Sequence, residues 1–188
     1  MKIDRNGKAR SLTDTELNQL LAAAPSPRYA CLWAIQRWTA ARISEALALR
    51  WADINGCLTY RAVTTKTGQT RQVPIAPALR AALVSYREAW AIEHGHAPTP
   101  TEALFPAAGS TTSPQSRQAA DKALRSTCAR IGLEGVSTHS FRRSLAQSAV
   151  GRGVPLHVVQ KLTGHKSLGS LGEYLTATDA QVLEAIGA

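Results

Sequence analysis

The stretch from Val136 to Leu175, VSTHSFRRSLAQSAVGRGVPLHVVQKLTGHKSLGSLGEYL, decides how the rest of the chain is read. His139 and Arg142 lie three residues apart, close enough to share one helical turn. His165 follows a glycine, and Tyr174 stands nine residues further on. An imidazole and a guanidinium on one turn, a second imidazole and a phenol suit one task. They can hold a phosphate still while the tyrosine oxygen attacks it.

Local signals place these groups. Thr138 or His139 starts a helix that turns Phe141, Leu145 and Ala149 inward and ends at Gly151 or Gly153. Pro155 suits the first turn of the next helix, whose buried stripe is Leu156, Val159 and Leu162. Gly164 sits where a C′ glycine belongs, so His165 emerges directly from the helix end. Ser167 to Gly172 reads as a loop or broken turn, with Tyr174 in a short segment beyond it. Thr178 and Asp179 can cap a final helix.

Upstream, residues 1 to 11 read as a polar, basic tail or linker remnant, and residues 12 to 188 as one domain. Thr13 and Glu16 form a capping box ahead of an apolar stripe of Leu17, Leu20 and Leu21. Pro25 and Pro27 end that helix, and a core helix runs from Pro27 through YACLWAIQRWTA. The pattern breaks at Ala40 to Ile43 and resumes as helix from Ser44 to Leu49. Arg42 and Glu45 can pair at i and i+3; a surface ion pair is worth little, but this arginine lies between apolar segments.

Residues 53 to 75 carry the strand signals. Asn55-Gly56 marks a hairpin, Leu58, Tyr60 and Val63 follow, Lys66-Thr67-Gly68-Gln69 makes a second turn, and Arg71 to Ile75 is a third short strand. This predicts a small three-stranded antiparallel sheet with Lys66 at a tip, where a lysine is ordinarily only solvated. Helix returns from Pro77 to about His94, with Leu79, Leu83, Tyr86 and Trp90 at helical spacing. A Pro- and Gly-rich connection follows, then a helix from Ser116 to Arg130 whose Arg117, Lys122, Arg125 and Arg130 could follow a phosphate backbone. The fold class is α+β, mainly helical with a small antiparallel sheet.

Bulk properties narrow the function classes. At 188 residues with 44% hydrophobic and 19% charged side chains, the chain is long enough to bury an ordinary core. No run is long enough to span a bilayer and no signal peptide follows Met1, which points to the cytoplasm. Cys31, Cys57 and Cys128 lack metal-ligand spacing and read as small core residues. Twenty-two Lys and Arg against thirteen acidic residues give a net charge of +9, the footprint of a polyanion binder.

Together these residues resemble the catalytic domain of the tyrosine recombinase (phage integrase) family, in the family's order from Leu12 to about Tyr174. TAARISEALALRWADI is similar to the first-arginine motif and supplies Arg42 and Glu45. TKTGQTRQVPI resembles the strand-turn-strand that carries the catalytic lysine, Lys66. THSFRR resembles the H-x-x-R motif with His139 and Arg142, and LTGHKS the L-G-H-x-S motif with His165. Tyr174 falls at the nucleophile's usual distance. The chain departs from the family's H-x-L-R-H in Phe141 and Arg143, and places Glu173 beside the tyrosine. The family's usual N-terminal core-binding domain is expected to be absent, as in an excised fragment or a single-domain member.

The resemblance implies DNA strand exchange through a 3′-phosphotyrosine, as in recombination, inversion or integration of mobile elements. Arg42, Arg142 and His165 would stabilise the phosphorane, Tyr174 would attack, His139 would take the phenolic proton, and Lys66 would protonate the 5′ oxygen. Glu45 would orient Arg42 or the histidines. Arg71, Lys122, Arg125, Arg130 and Arg143 are candidate DNA contacts. No metal or nucleotide cofactor is expected. The partners implied are double-stranded DNA and further copies of the chain, as a tetramer on paired sites. A catalytically inactive DNA-binding regulator and a type IB topoisomerase-like enzyme are the competing functions.

Overall fold

The computed structural model describes residues 9–175 and 179–187. Chain order gives α1 (Asp14–Ala22), α2 (Pro27–Thr39), α3 (Ile43–Leu47), β1 (Ile54–Asn55), β2 (Cys57–Tyr60), β3 (Arg71–Pro74) and α4 (Pro77–His94). Then follow α5 (Arg117–Arg130), α6 (Thr138–Gly151), α7 (Leu156–Thr163), α8 (Leu168–Gly172) and α9 (Asp179–Ala185).

Helix α2 is the axis of the core. Cys31, Leu32, Trp33, Ala34 and Ile35 are buried in succession, so the middle of the helix is buried on every side and is covered by α1, α3, α4 and α6. Burying each large side chain contributes about 1.5–3 kcal/mol. Helix α4 presents Leu79, Leu83, Tyr86 and Trp90 to it, and the Tyr86 hydroxyl donates to the Leu104 carbonyl at 2.8 Å. The three strands form an antiparallel sheet in the order β1-β2-β3, with Gly56 in the left-handed region at the first turn. Leu58, Tyr60 and Val73 face the core.

Several local expectations match. Thr13 and Glu16 form the capping box, Pro27 and Pro77 open α2 and α4, and Ser116 caps α5. Others shift. Helix α3 is one turn, ending at Leu47 rather than Leu49. The segment expected as a loop after Ser167 is α8, because the Ser167 hydroxyl accepts from the Ser170 N–H and Leu171 is buried beneath it. Leu156, expected inside, is 44% exposed; the short α7 buries only Val159 and Thr163. Residues 9–11 are not a loose tail, since the Arg10 guanidinium reaches the Glu134 carbonyl and Glu16. Residues 1–8 and the cap expected at Thr178 lie outside the described residues.

A second, smaller core lies at the C-terminal end. Ala146, Ala149, Val159 and Leu171 form it, and Val150, Val154, Tyr174 and Leu175 pack on it. The segment bearing Tyr174 is therefore seated on small residues of α6 and α7 rather than on the main core.

Candidate active site

Helix α2 ends in a sharp turn at Ala40, which is fully buried at φ 53°. A non-glycine residue there carries strain of about 1–3 kcal/mol. The turn leaves the carbonyls at the negative end of the helix free to accept cations. Arg71 Nη1 donates to the Thr39 oxygen at 3.0 Å, and Arg142 Nη1 donates to the Ala40 oxygen at 2.8 Å.

Two residues on, Arg42 caps α3. Its backbone N–H donates to Glu45 Oε2 at 3.0 Å and its Nη1 to Glu45 Oε1 at 2.7 Å. Glu45 also receives Arg71 Nη2 at 3.3 Å. A buried carboxylate thus holds two arginines from different elements. Arg71 completes its bonding at the Leu162 carbonyl, 2.7 Å away, and lies over the Tyr60 ring at 4.3 Å.

These contacts turn inward an arginine expected on the DNA backbone. Strand register explains it: Arg71 is paired with Tyr60, so both side chains point to the same, buried face. Gly164 permits the path of Arg71. A Cβ there would meet Arg71 Cδ at 3.3 Å, and its φ of 67° also favours glycine.

Arg142 is 1% exposed, and its Nε and Nη2 are buried without a partner among the described residues. Burial, and then the charge of Arg42, push its pKa down to about 10, so it remains charged at neutral pH. His165 leaves the end of α7 with its N–H on the Gln160 carbonyl and its own carbonyl receiving Gln160 Nε2 at 3.1 Å. Its Nδ1 lies 2.8 Å from Thr163 Oγ1, and its Nε2 is buried without a partner among the described residues. Burial, followed by the charges of Arg142 and Arg42, pushes the imidazole down to about 4, so it is neutral at pH 7.

Tyr174 closes this group. Its ring centroid is 4.7 Å from that of His165, and the guanidinium carbons of Arg142 and Arg143 each lie 5.8 Å from it. Arg143 also reaches the Glu173 carbonyl at 3.4 Å. The Tyr174 ring therefore packs beside Arg142 and His165, which carry buried nitrogens without a partner among the described residues. Beside it opens a cleft of about 710 Å³ lined by Arg42, Arg71, His165, Gln69, Lys161 and Lys166 among others.

Not every expected residue joins the group. The His139 side chain is exposed on the first turn of α6 and does not line the cleft. Lys66 is exposed in the turn before β3, where Thr65 and Thr67 line the cleft and Lys66 does not. On α5, Lys122 is exposed, Arg125 pairs with Asp121 at 2.9 Å, and Arg130 donates to the Ala23 carbonyl just past α1. Among the described residues no cluster of three His, Cys, Asp or Glu could hold a metal ion, and no helix is long and apolar enough to cross a membrane.

A profile of the phage integrase family matches residues 10–181. The chain belongs to the phage integrase family. It is similar to tyrosine recombinase XerC of Rhizobium meliloti (strain 1021), 33% identical over 187 residues, covering 93% of this chain and 56% of that protein. Its fold is similar to that of the XerH site-specific recombinase in a post-cleavage complex with palindromic difH substrate, with TM-score 0.76 and 24% identity over 98% of this chain and 55% of that one. It is also similar to a lambda integrase dimer bound to a COC′ core site, with TM-score 0.70 and 20% identity over 90% and 60% of the two chains. The chain spans about half the length of the curated relatives it matches.

Within this integrase-family site, the sequence reading missed the internal bonding of one residue and a second residue altogether. Arg71, expected as a DNA contact, is held by Thr39, Glu45 and Leu162, and its place two residues before the buried Val73 in β3 carried the clue. Thr163 carried no signal beyond its place before the Gly164-His165 pair.

Proposed function

We propose that this integrase-family chain cuts and rejoins DNA strands at specific sites through a covalent 3′-phosphotyrosine at Tyr174. One observation carries this: the Tyr174 ring packs on His165 and Arg142, whose remaining nitrogens are buried and unpaired among the described residues. A buried guanidinium with unpaired N–H groups is costly, as at Arg142, and a phosphodiester supplies anionic oxygens that match its fork. Arg42, held on Glu45 at the cleft, would grip the same phosphate from the other side. As Tyr174 attacks phosphorus, the charge growing on the non-bridging oxygens is met by donors already in place, each worth about 10²–10³ in rate. The 3′ phosphate passes to the tyrosine and the 5′ oxygen departs with a proton. Lys66 remains the candidate donor of that proton, provided that its turn closes on bound DNA.

The net charge of +9 supports duplex DNA as the partner. Self-association on DNA is supported by the relatives, since the lambda integrase structure is a dimer on its core site. The test uses nicked duplexes with a randomised core, incubated with the purified chain and resolved on denaturing gels. Wild type should yield a covalent adduct and Tyr174→Phe none. Tight binding with no adduct would leave the non-catalytic regulator standing, and relaxation of arbitrary plasmids would favour the topoisomerase.

A further inference from the structure

Arg71 directs its charge into the protein. Its Nη1 gives both protons to carbonyls, Thr39 at 3.0 Å and Leu162 at 2.7 Å, and its Nη2 gives one to Glu45 Oε2 at 3.3 Å. Its Nε faces Gly164, 3.4 Å from where a Cβ would stand. The acceptors belong to three elements: the end of α2, the single turn of α3 and the last turn of α7. Both carbonyls lie at the negative ends of their helices, where a cation is favoured. The Tyr60 ring under the guanidinium is fixed in turn. The Thr39 hydroxyl donates to the Ile35 carbonyl at 2.7 Å, so the Tyr60 hydroxyl, 2.6 Å from Thr39 Oγ1, supplies the proton of that contact.

These bonds reach the supports of two groups at the cleft. Glu45 Oε2 accepts from the Arg42 backbone N–H as well as from Arg71, which leaves Oε1 facing Arg42 Nη1 at 2.7 Å. An arginine and a glutamate three apart on one turn make a loose pair by themselves. Arg71 adds an anchor from β3 and fixes the plane of the carboxylate on which Arg42 rests. On the other side, α7 is eight residues long and buries only Val159 and Thr163. The bond to Leu162 pins its last turn, three residues before His165 leaves through Gly164. A lysine could not replace this clasp, because its ammonium has no planar fork to span two carbonyls and a carboxylate.

We infer that Arg71 is a positioning residue, which sets Arg42 through Glu45 and His165 through the Leu162 carbonyl so that both meet one phosphate. It binds no DNA itself. This rests on the strand-cleavage function proposed above. Affinity for a duplex is the sum of many phosphate contacts, so a displaced Arg42 or His165 leaves it nearly whole. The step that suffers is the one in which charge grows on the scissile phosphate, where donors must already stand in place.

The test separates binding from chemistry on one nicked duplex selected as above. In single turnover at saturating protein, Arg71→Lys should form adduct ~100-fold more slowly than wild type, the lower end for a lost oxyanion donor, with Kd unchanged. Arg71→Gln should keep the wild-type salt slope of binding. A slope shallower by about 0.9 would make Arg71 a phosphate contact. An Arg71→Lys variant that cleaves at the wild-type rate would show that the fork is not needed, and a rate loss matched by losses of affinity and thermal midpoint would mark a merely structural residue. Each of these three results overturns the inference. Nitrogen-15 NMR on the full wild-type chain needs no variant to fold: the Arg71 guanidinium protons should be resolved and slow to exchange, with and without the duplex. Signals averaged by free rotation overturn the inference as well. If wild type forms no adduct on any duplex, the cleavage function falls; the guanidinium signals, with shifts of the Arg42 and His165 amides in Arg71→Lys, still decide the positioning.

Discussion

At Glu45 a carboxylate that is 2% exposed holds Arg42 at 2.7 Å and Arg71 at 3.3 Å, and the two arginines bring α3 and β3 to one point. Removing one member of a buried ion pair strands the other's charge and costs about 3–5 kcal/mol. Glu45→Gln keeps the shape and loses the charge, so urea unfolding should show a loss of that order, and a loss under ~1 kcal/mol would mean that water screens the cluster. His165 offers a check of opposite kind. Its folded pKa, about 4, lies below the ordinary 6.5, so the unfolded chain binds the proton more readily. The neutral imidazole's contribution to stability is thus complete above about pH 6.5 and is lost as pH falls toward 4. Urea midpoints across that window should fall more steeply for wild type than for His165→Gln. Parallel curves would show that the imidazole is not desolvated.

Helix α8 delivers Tyr174, yet its anchor in the small C-terminal core is chiefly Leu171. Truncating a buried leucine costs about 2–5 kcal/mol, here concentrated in a segment that can open without the main core. Leu171→Ala should therefore speed amide exchange in α8 and reduce adduct formation, with little change in the thermal midpoint of the main core; an equal loss throughout would tie α8 to the global fold. The same contrast between local and distant contacts decides what the sequence reveals. The Thr13 cap, the Pro27 and Pro77 starts and the Asn55-Gly56 turn depend on neighbours a few residues away and are legible directly. So is the order of Arg42, Arg142, His165 and Tyr174, because their motifs resemble those of the phage integrase family. Helix α8 reads as loop because its two glycines have poor propensity, and only burial of Leu171 overrides that. Arg71 reads as a DNA contact because its acceptor at Leu162 lies 91 residues away. The exposure of His139 is equally invisible, since its motif partner Arg142, on the same helix face, is buried.

Across the whole molecule, charge and apolar surface separate two kinds of association. Contacts to phosphates make binding fall with salt in proportion to the number neutralised, at about −0.9 per phosphate on a log–log plot. Contacts between protomers bury apolar surface and depend little on salt. Helix α9 belongs to the second kind: Val182 and the adjacent Leu183, with Ile186 about one turn on and just past the helix end, are all exposed, a small apolar face. Residues 178–188 contain Asp179 and Glu184 and no Lys or Arg, so deleting them removes no group that could neutralise a phosphate. The truncated chain should keep the salt slope of single-protomer binding and the thermal midpoint of the full chain. It should lose cooperativity when two protomers load on one duplex, measured by titrating a two-site DNA against a one-site DNA. Unchanged cooperativity would remove α9 from the protomer contact. A flattened salt slope would mean instead that the tail holds the DNA-binding face in place.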